Sequence, residues 1–398
     1  MTLNKLLVAA LATTLMTGTA MAVDVKIGVL NDRSGIYADL SGEGSVIAAR
    51  MAVEDFGVAD KGINVEIISA DHQNKPDVAS NIARQWYDTD GVDLIVDVPT
   101  SSAALAVSEV TREKDKIFIN SGAGSTALTG AQCSPNTIHW TYDTYALAKG
   151  TGGAMVEQGK KNWFFITADY AFGHSLEEET TKVVEAAGGK VLGTARHPFP
   201  GTDFSSYLLQ AQSSGADVIG LANAGGDTVN AIKQAAEFGI TQAGQSLAGL
   251  LIFITDVHAL GLDAAQGLVL TEAFYWDLND ETRAWSERFE AQSGGKKPTM
   301  VQAGVYSSVL HYLKAVEATD GKVTADLMAS MKATPTSDPL MGQGAVRADG
   351  RTIHDMYLFQ VKAPGESSGP WDYYDLLATI PADQAFRPME EGGCALVQ

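Results

Sequence analysis

Thr100, Ser101 and Ser102 follow a short apolar run, Leu94-Ile95-Val96-Asp97-Val98, and a proline, Pro99, that cannot donate to a sheet ladder. Behind them, Ala103 to Glu113 has helical spacing. Hydroxyls at a strand-to-helix junction sit beside unpaired first-turn N–H groups and the positive end of the helix dipole, which together suit an anion. The same residue types are ordinary helix N-caps, so the junction alone leaves both roles open. Ser121-Gly122-Ala123-Gly124-Ser125 repeats the arrangement after the next apolar run, Lys116 to Asn120.

Other chemistry finds little support. No G-x-G-x-x-G follows the first strand-like run, and no glycine loop ends in a Walker lysine. The 7 histidines are scattered, with no H-E-x-x-H and no cysteine pair at zinc spacing. Gly244-Gln245-Ser246-Leu247-Ala248 departs from a nucleophile elbow at its last position. Asp169 and Asp227 could form an acid pair, but each also suits capping the helix that follows. No reaction centre assembles, so we expect neither an enzyme nor a bound metal or cofactor.

The elements that position these groups alternate. Val25 to Leu30, Ile63 to Ile68, Asp93 to Val98 and Lys116 to Asn120 read as strands. Helices lie between them at Ser45 to Phe56, Pro76 to Tyr87 and Ala103 to Glu113, the second opening on its proline. A second series has strands at Asn162 to Thr167, Lys190 to Ala195, Asp217 to Ala222 and Gly267 to Thr271. Such alternation gives parallel sheets with right-handed crossovers, and ligands bind beyond the carboxyl ends of their strands. Ser101, Ser102 and the 121–125 loop fall there. From Asp280 the pattern is mainly helical; then a hairpin is expected, Gly344 to Arg347 with Thr352 to Val361, before an irregular tail from Ala363.

At 398 residues the chain suits two domains. Residues 1–22 read as a secretory leader: Lys5, an apolar stretch Leu6 to Leu15, and Ala20-Met21-Ala22 as the cleavage site. No later apolar run would span a membrane, so an exported protein without membrane insertion is expected. The formal charge of −20 argues against nucleic acid, whose phosphates need a basic face. Cys133 and Cys394, an even count in an exported chain, suggest a disulfide.

With these features in hand, the sequence resembles the periplasmic solute-binding proteins of ABC importers, closest to the leucine/isoleucine/valine-binding (type I) family. The resemblance is carried by Val25-Lys26-Ile27-Gly28-Val29-Leu30 with Ser34-Gly35, Thr100-Ser101-Ser102, Ile119 to Thr129, Ala168 to Gly173 and Met300 to Val316. It implies two doubly wound α/β lobes, 23–143 with 274–351 and 144–273 with 352–398, joined by three crossings near Asp143, Ala273 and Arg351. It implies a periplasmic monomer that closes on a small ligand and delivers it to a membrane permease. By position, Ser101, with Ser102 and the amides of Gly122, Ala123 and Gly124, would hold a ligand carboxylate. The family's usual hydroxyl is missing at Gly124, where Ser125 could substitute. Amino-acid-binding members meet the ammonium with an acid after a later strand; the matching stretch, Ala248 to Ile252, has none. Asp143 or Asp227 could supply that charge, and Asn223 or Asp227 could meet a ring hydroxyl. Tyr37, Tyr145, Tyr170, Phe172 and the run Phe274-Tyr275-Trp276 are expected as aromatic walls. Members with such a run, an acid-free later loop and a cysteine near the C-terminus are similar to binders of aromatic carboxylates, so a benzoate- or phenylpropanoid-like acid is expected over a branched-chain amino acid.

Overall fold

The computed structural model describes residues 22–397; the leader expected at 1–22 therefore lies, but for Ala22, outside the described residues. The first half of the alternation folds as expected. Strands β1 (Val23–Asn31), β2 (Ile63–Asp71), β3 (Leu94–Asp97), β4 (Ile117–Asn120) and β5 (Thr137–His139) form a parallel sheet in the order β2-β1-β3-β4-β5. All four residues of β3 are buried, as a strand covered on both faces requires. Helices Pro76–Gln85 and Ser101–Glu113 cover one face through Ala79, Ala83, Ala103 and Val107. Helices Gly42–Phe56 and Met300–Thr319 cover the other through Val46, Ala49, Val305 and Val309. The long helix is started by a reciprocal cap: Gln302 N donates to Thr299 Oγ1 at 3.4 Å, and Thr299 N donates to Gln302 Oε1 at 3.0 Å.

The second half repeats the plan with β6 (Asn162–Ala168), β7 (Lys190–His197), β8 (Val218–Ala222) and β9 (Ser246–Gly249), parallel in the order β7-β6-β8-β9. Two lobes of mixed α/β structure with parallel sheets result. Three details differ from expectation. β9 occupies the stretch read as a loop, because Leu247 and Ala248 pair beside Ile219 and Gly220 and bury there. The strand β10 (Val269–Glu272) does not extend this sheet. After β11 (Thr336–Asp338), β12 (Gly342–Val346) and β13 (Thr352–Ile353) form the short expected hairpin, but the chain then breaks. β14 (Met356–Val361) leaves it to pair with β10 and with β15 (Tyr374–Ile380), a strand in the supposedly irregular tail. The break falls at His354, whose Nε2 sits 3.2 Å from Trp140 O, and Arg351 at the same place donates to Trp140 O (2.8 Å) and Tyr142 O (3.0 Å).

Cys133 and Cys394 are bonded, with Cα atoms 5.6 Å apart, which ties the tail to the loop after β4. Among the described residues no helix is long and apolar enough to cross a membrane.

Candidate functional site

The site begins where β3 ends. Asp97 and Val98 take left-handed backbone angles, φ 83° and 55°, unusual for residues with side chains. They turn the chain so that Thr100 starts the helix at Ser101. The buried Asp97 carboxyl offsets part of that strain: Ser41 Oγ donates to it at 2.6 Å and Asn31 Nδ2 at 3.1 Å. Burial nonetheless raises its pKa to about 6. Ser101 Oγ accepts from Ser125 N at 3.2 Å, so the two hydroxyl-bearing turns are bonded to each other. Gly122 makes that approach possible, since a Cβ there would lie 2.6 Å from Pro99 Cα. Asn120 clamps Ala123 twice, with Nδ2 donating to its carbonyl at 2.7 Å and Oδ1 accepting from its N–H at 2.9 Å. The Ala123 amide is thereby engaged within the loop and is withdrawn from the expected carboxylate cradle.

In front of these turns lies a narrow cavity of about 10 Å³. Tyr37, Leu40, Pro99, Gly122 and Tyr142 line it from the first lobe. Tyr170, Phe172, Ala224, Leu251 and Phe253 line it from the other side of the cleft. Its volume is about what a single water needs, so the walls are all but closed on each other. The Tyr37 and Tyr170 hydroxyls meet at 2.6 Å, Phe199 stacks on Tyr170 at 4.0 Å, and the Tyr142 hydroxyl donates to Gly122 O. Burial raises the pKa of all three phenols, which stay neutral donors. None of the ten lining residues is acidic.

Of the expected site residues, Tyr37, Gly122, Tyr170 and Phe172 come together here. Ser101 lies one shell behind, at the start of its helix, while Ser102 beside it is half-buried. Gly124 stands against the rings of Phe172 and Tyr142. Asn223 and Asp227 lie behind the second wall. Asn223 is engaged by His197 Nε2 (3.2 Å) and Thr228 Oγ1 (2.7 Å). Asp227 Oδ1 accepts from Gly201 N at 2.9 Å, its Oδ2 has no partner, and burial raises its pKa to about 7. The 3.9 Å approach of His197 Nδ1 to Asp227 does not neutralise it, because that nitrogen is turned to Pro198 O at 2.8 Å.

Other expectations do not hold geometrically. Asp143 is engaged away from the cavity: it caps Ala146 N at 2.9 Å and faces Arg351 Nη1 at 3.7 Å. Tyr145 is half-buried and does not line the space. Phe274, Tyr275 and Trp276 do not form the cleft wall. Phe274 packs edge-on against Trp285, while Tyr275 Oη and Trp276 Nε1 both donate to Trp371 O, at 3.1 and 2.8 Å. The reason is β10, which pairs with β14 and carries the run toward Tyr373 and Tyr374 instead of the cleft. The residues missed are Leu40, Pro99, Tyr142, Ala224, Leu251 and Phe253. Pro99, Ala224 and Leu251 each stand two residues after a strand ends, where the rule of binding beyond carboxyl ends would have placed them.

A family profile described as "Periplasmic binding protein" matches residues 24–369. The crystal structure of a periplasmic binding protein from Burkholderia mallei is 54% identical, with TM-score 0.92, covering 94% of this chain and 99% of that one. A branched chain amino acid ABC transporter periplasmic ligand-binding protein from Burkholderia xenovorans LB400 is 41% identical, with TM-score 0.84, covering 94% and 100%. An ABC transporter solute-binding protein from R. palustris, solved in complex with benzoate, is 25% identical, with TM-score 0.81, covering 94% and 100%.

Proposed function

The chain belongs to the periplasmic binding protein family, the solute-binding partners of ABC transporters rather than enzymes, and from that premise we propose that its ligand is a small aromatic carboxylate, benzoate- or phenylpropanoid-like. The observation that carries this reading is the lining of the cleft cavity, walled by Tyr37, Tyr142, Tyr170, Phe172 and Phe253 with no acidic residue among the lining. An aromatic ring buries its apolar faces there. An α-ammonium would be stripped of water with no ionised partner, at a cost of several kcal/mol. The carboxylate lies toward the Gly124 amide at the positive end of the helix Ser101–Glu113, with the Ser101 hydroxyl behind it, since Gly122 N already donates to Asp97 O at 3.4 Å. The benzoate complex of the R. palustris relative supports the same class. The chain is exported by its leader to the periplasm, works as a monomer, and closes lobe 23–143/274–351 on lobe 144–273/352–398 around the ligand before docking on its permease.

The second reading, a branched-chain amino acid, is favoured by the description of the Burkholderia xenovorans relative and by Asp227, whose unpartnered oxygen lies behind the second wall. A thermal-shift panel of benzoate, 4-hydroxybenzoate, cinnamate, leucine and valine separates them. A ligand at a hundredfold its Kd stabilises the folded state by ~2.7 kcal/mol, a melting shift of a few degrees. Benzoates or cinnamates should shift the midpoint while leucine and valine do not; the reverse pattern refutes the aromatic reading. Ser101→Ala, which removes the acceptor of Ser125 N behind the carboxylate, should then raise the ligand's Kd about fivefold, the worth of about 1 kcal/mol.

A further inference from the structure

Two glycines face each other's lobes across the cleft. Gly124, in the loop after β4, carries no side chain where a Cβ would lie 2.9 Å from Phe172 Cε2, 3.3 Å from Phe172 Cδ2 and 3.0 Å from Tyr142 Cε2. Phe172 belongs to the first turn of the helix Ala171–Ala186 in the second lobe. The arrangement is mirrored at the other rim. Gly225, before the helix Gly226–Glu237, would place a Cβ 2.6 Å from Ile36 O and 2.9 Å from Tyr37 Cδ1 of the first lobe. Gly226 N donates to Ile36 O at 3.3 Å. Tyr37 and Phe172, the two aromatic residues so seated, both line the central space.

We infer that Gly124 and Gly225 are reciprocal seats that set how far the lobes close, each admitting the other lobe's pocket aromatic. Real Cβ atoms essentially never approach to 2.9 Å, so a methyl at Gly124 must displace the Phe172 ring, which is buried and gives way by opening the rim, and one at Gly225 meets the Ile36 backbone oxygen. Gly225 also has φ 57°, so a side chain there is strained whatever the space. Gly124 has no such strain and is the clean probe. The seats explain why the walls meet closely enough for Tyr37 and Tyr170 to bond at 2.6 Å. Gly124 therefore acts on the ligand by permitting closure, and a hydroxyl there would obstruct Phe172 instead of assisting a carboxylate.

The inference rests on two-lobe closure and not on which ligand is bound, so the test needs no ligand. A Cβ on Gly226 would lie 3.2 Å from Ile36 Cβ, within a few tenths of an ångström of disulfide spacing. The variant Ile36→Cys/Gly226→Cys should therefore cross-link under mild oxidation each time the lobes close, leaving the Cys133–Cys394 bridge as it is. The trapping rate, followed by mass spectrometry of the intact chain, reads the closed population. Gly124→Ala in this background should slow trapping about ten- to a hundredfold, the usual consequence of overpacking a tight contact. With Phe172→Ala also present, the Gly124→Ala change should alter the rate less than about threefold, and that chain shows whether a Cβ at this position is compatible with folding. Equal trapping with and without the Gly124→Ala change, equal slowing with and without Phe172, or no trapping of the parent overturns the inference. An aromatic-acid panel that finds no ligand would count against the proposed function alone.

Discussion

Asp227→Asn should stabilise the protein, and by an amount that grows with pH. Asp227 is buried, its Oδ2 has no partner, and desolvation lifts its pKa from 3.8 to about 7. Below about pH 4 both folded and unfolded chains carry the proton. Between about pH 4 and 7 only the folded chain does, so stability falls as pH rises, and above 7 the full cost is in place. About three pKa units at ~1.36 kcal/mol each make that cost about 4 kcal/mol at pH 8 and about 1.5 kcal/mol at pH 5. Asparagine keeps the carbonyl that accepts from Gly201 N at 2.9 Å and removes the charge. Urea unfolding followed by tryptophan fluorescence at the two pH values measures the difference. A gain near 4 kcal/mol at pH 8, shrinking by more than half at pH 5, is expected. An equal effect at both, or a loss at pH 8, refutes the argument that an uncompensated carboxylate sits there.

Arg351→Ala should cost about 3–5 kcal/mol in urea unfolding, because it strips donors from the buried carbonyls of Trp140 and Tyr142 and leaves Asp143 facing no cation. Arg351→Lys should rescue little, since one ammonium cannot reproduce the fork. Cys133→Ser with Cys394→Ser should lower stability by about 4–5 kcal/mol in the chain-entropy account of so long a loop, with circular dichroism of the folded form unchanged. Tyr37→Phe deletes the 2.6 Å bond to Tyr170; at about 1 kcal/mol it should raise the Kd of a bound ring about fivefold by calorimetry.

The strand–turn–helix units were legible because their burial is written in the residues: all of Leu94 to Asp97 is buried, and Pro76 opens its helix. The Cys133–Cys394 bridge was legible because only one pairing of two cysteines exists. What escaped depends on partners distant in sequence. β15 is strand-forming at Tyr374, Leu376, Leu377 and Ile380, yet exposed at five of its seven residues, so periodicity had little to register. Phe274 to Trp276 are aromatic and close to an expected crossing, but only the pairing of β10 with β14 decides which way they point. Tyr142 and Phe253 reach the central space from segments whose composition differs in nothing from core. Gly124 read as a lost hydroxyl; its use becomes visible only with Phe172 across the cleft.

The bond between Cys133 and Cys394 also divides the molecule mechanically. A pull applied at Val23 and Val397 travels along the chain to Cys133, crosses the bridge and leaves through the last residues, bypassing the 261-residue separation it spans. Only the roughly 110 residues before Cys133 can extend, about 380 Å at ~3.5 Å per residue. β1 to β4 lie on that load path and β6 to β15 lie inside the ring, so tension would unravel most of the first sheet while the second carried none until the bridge was reduced.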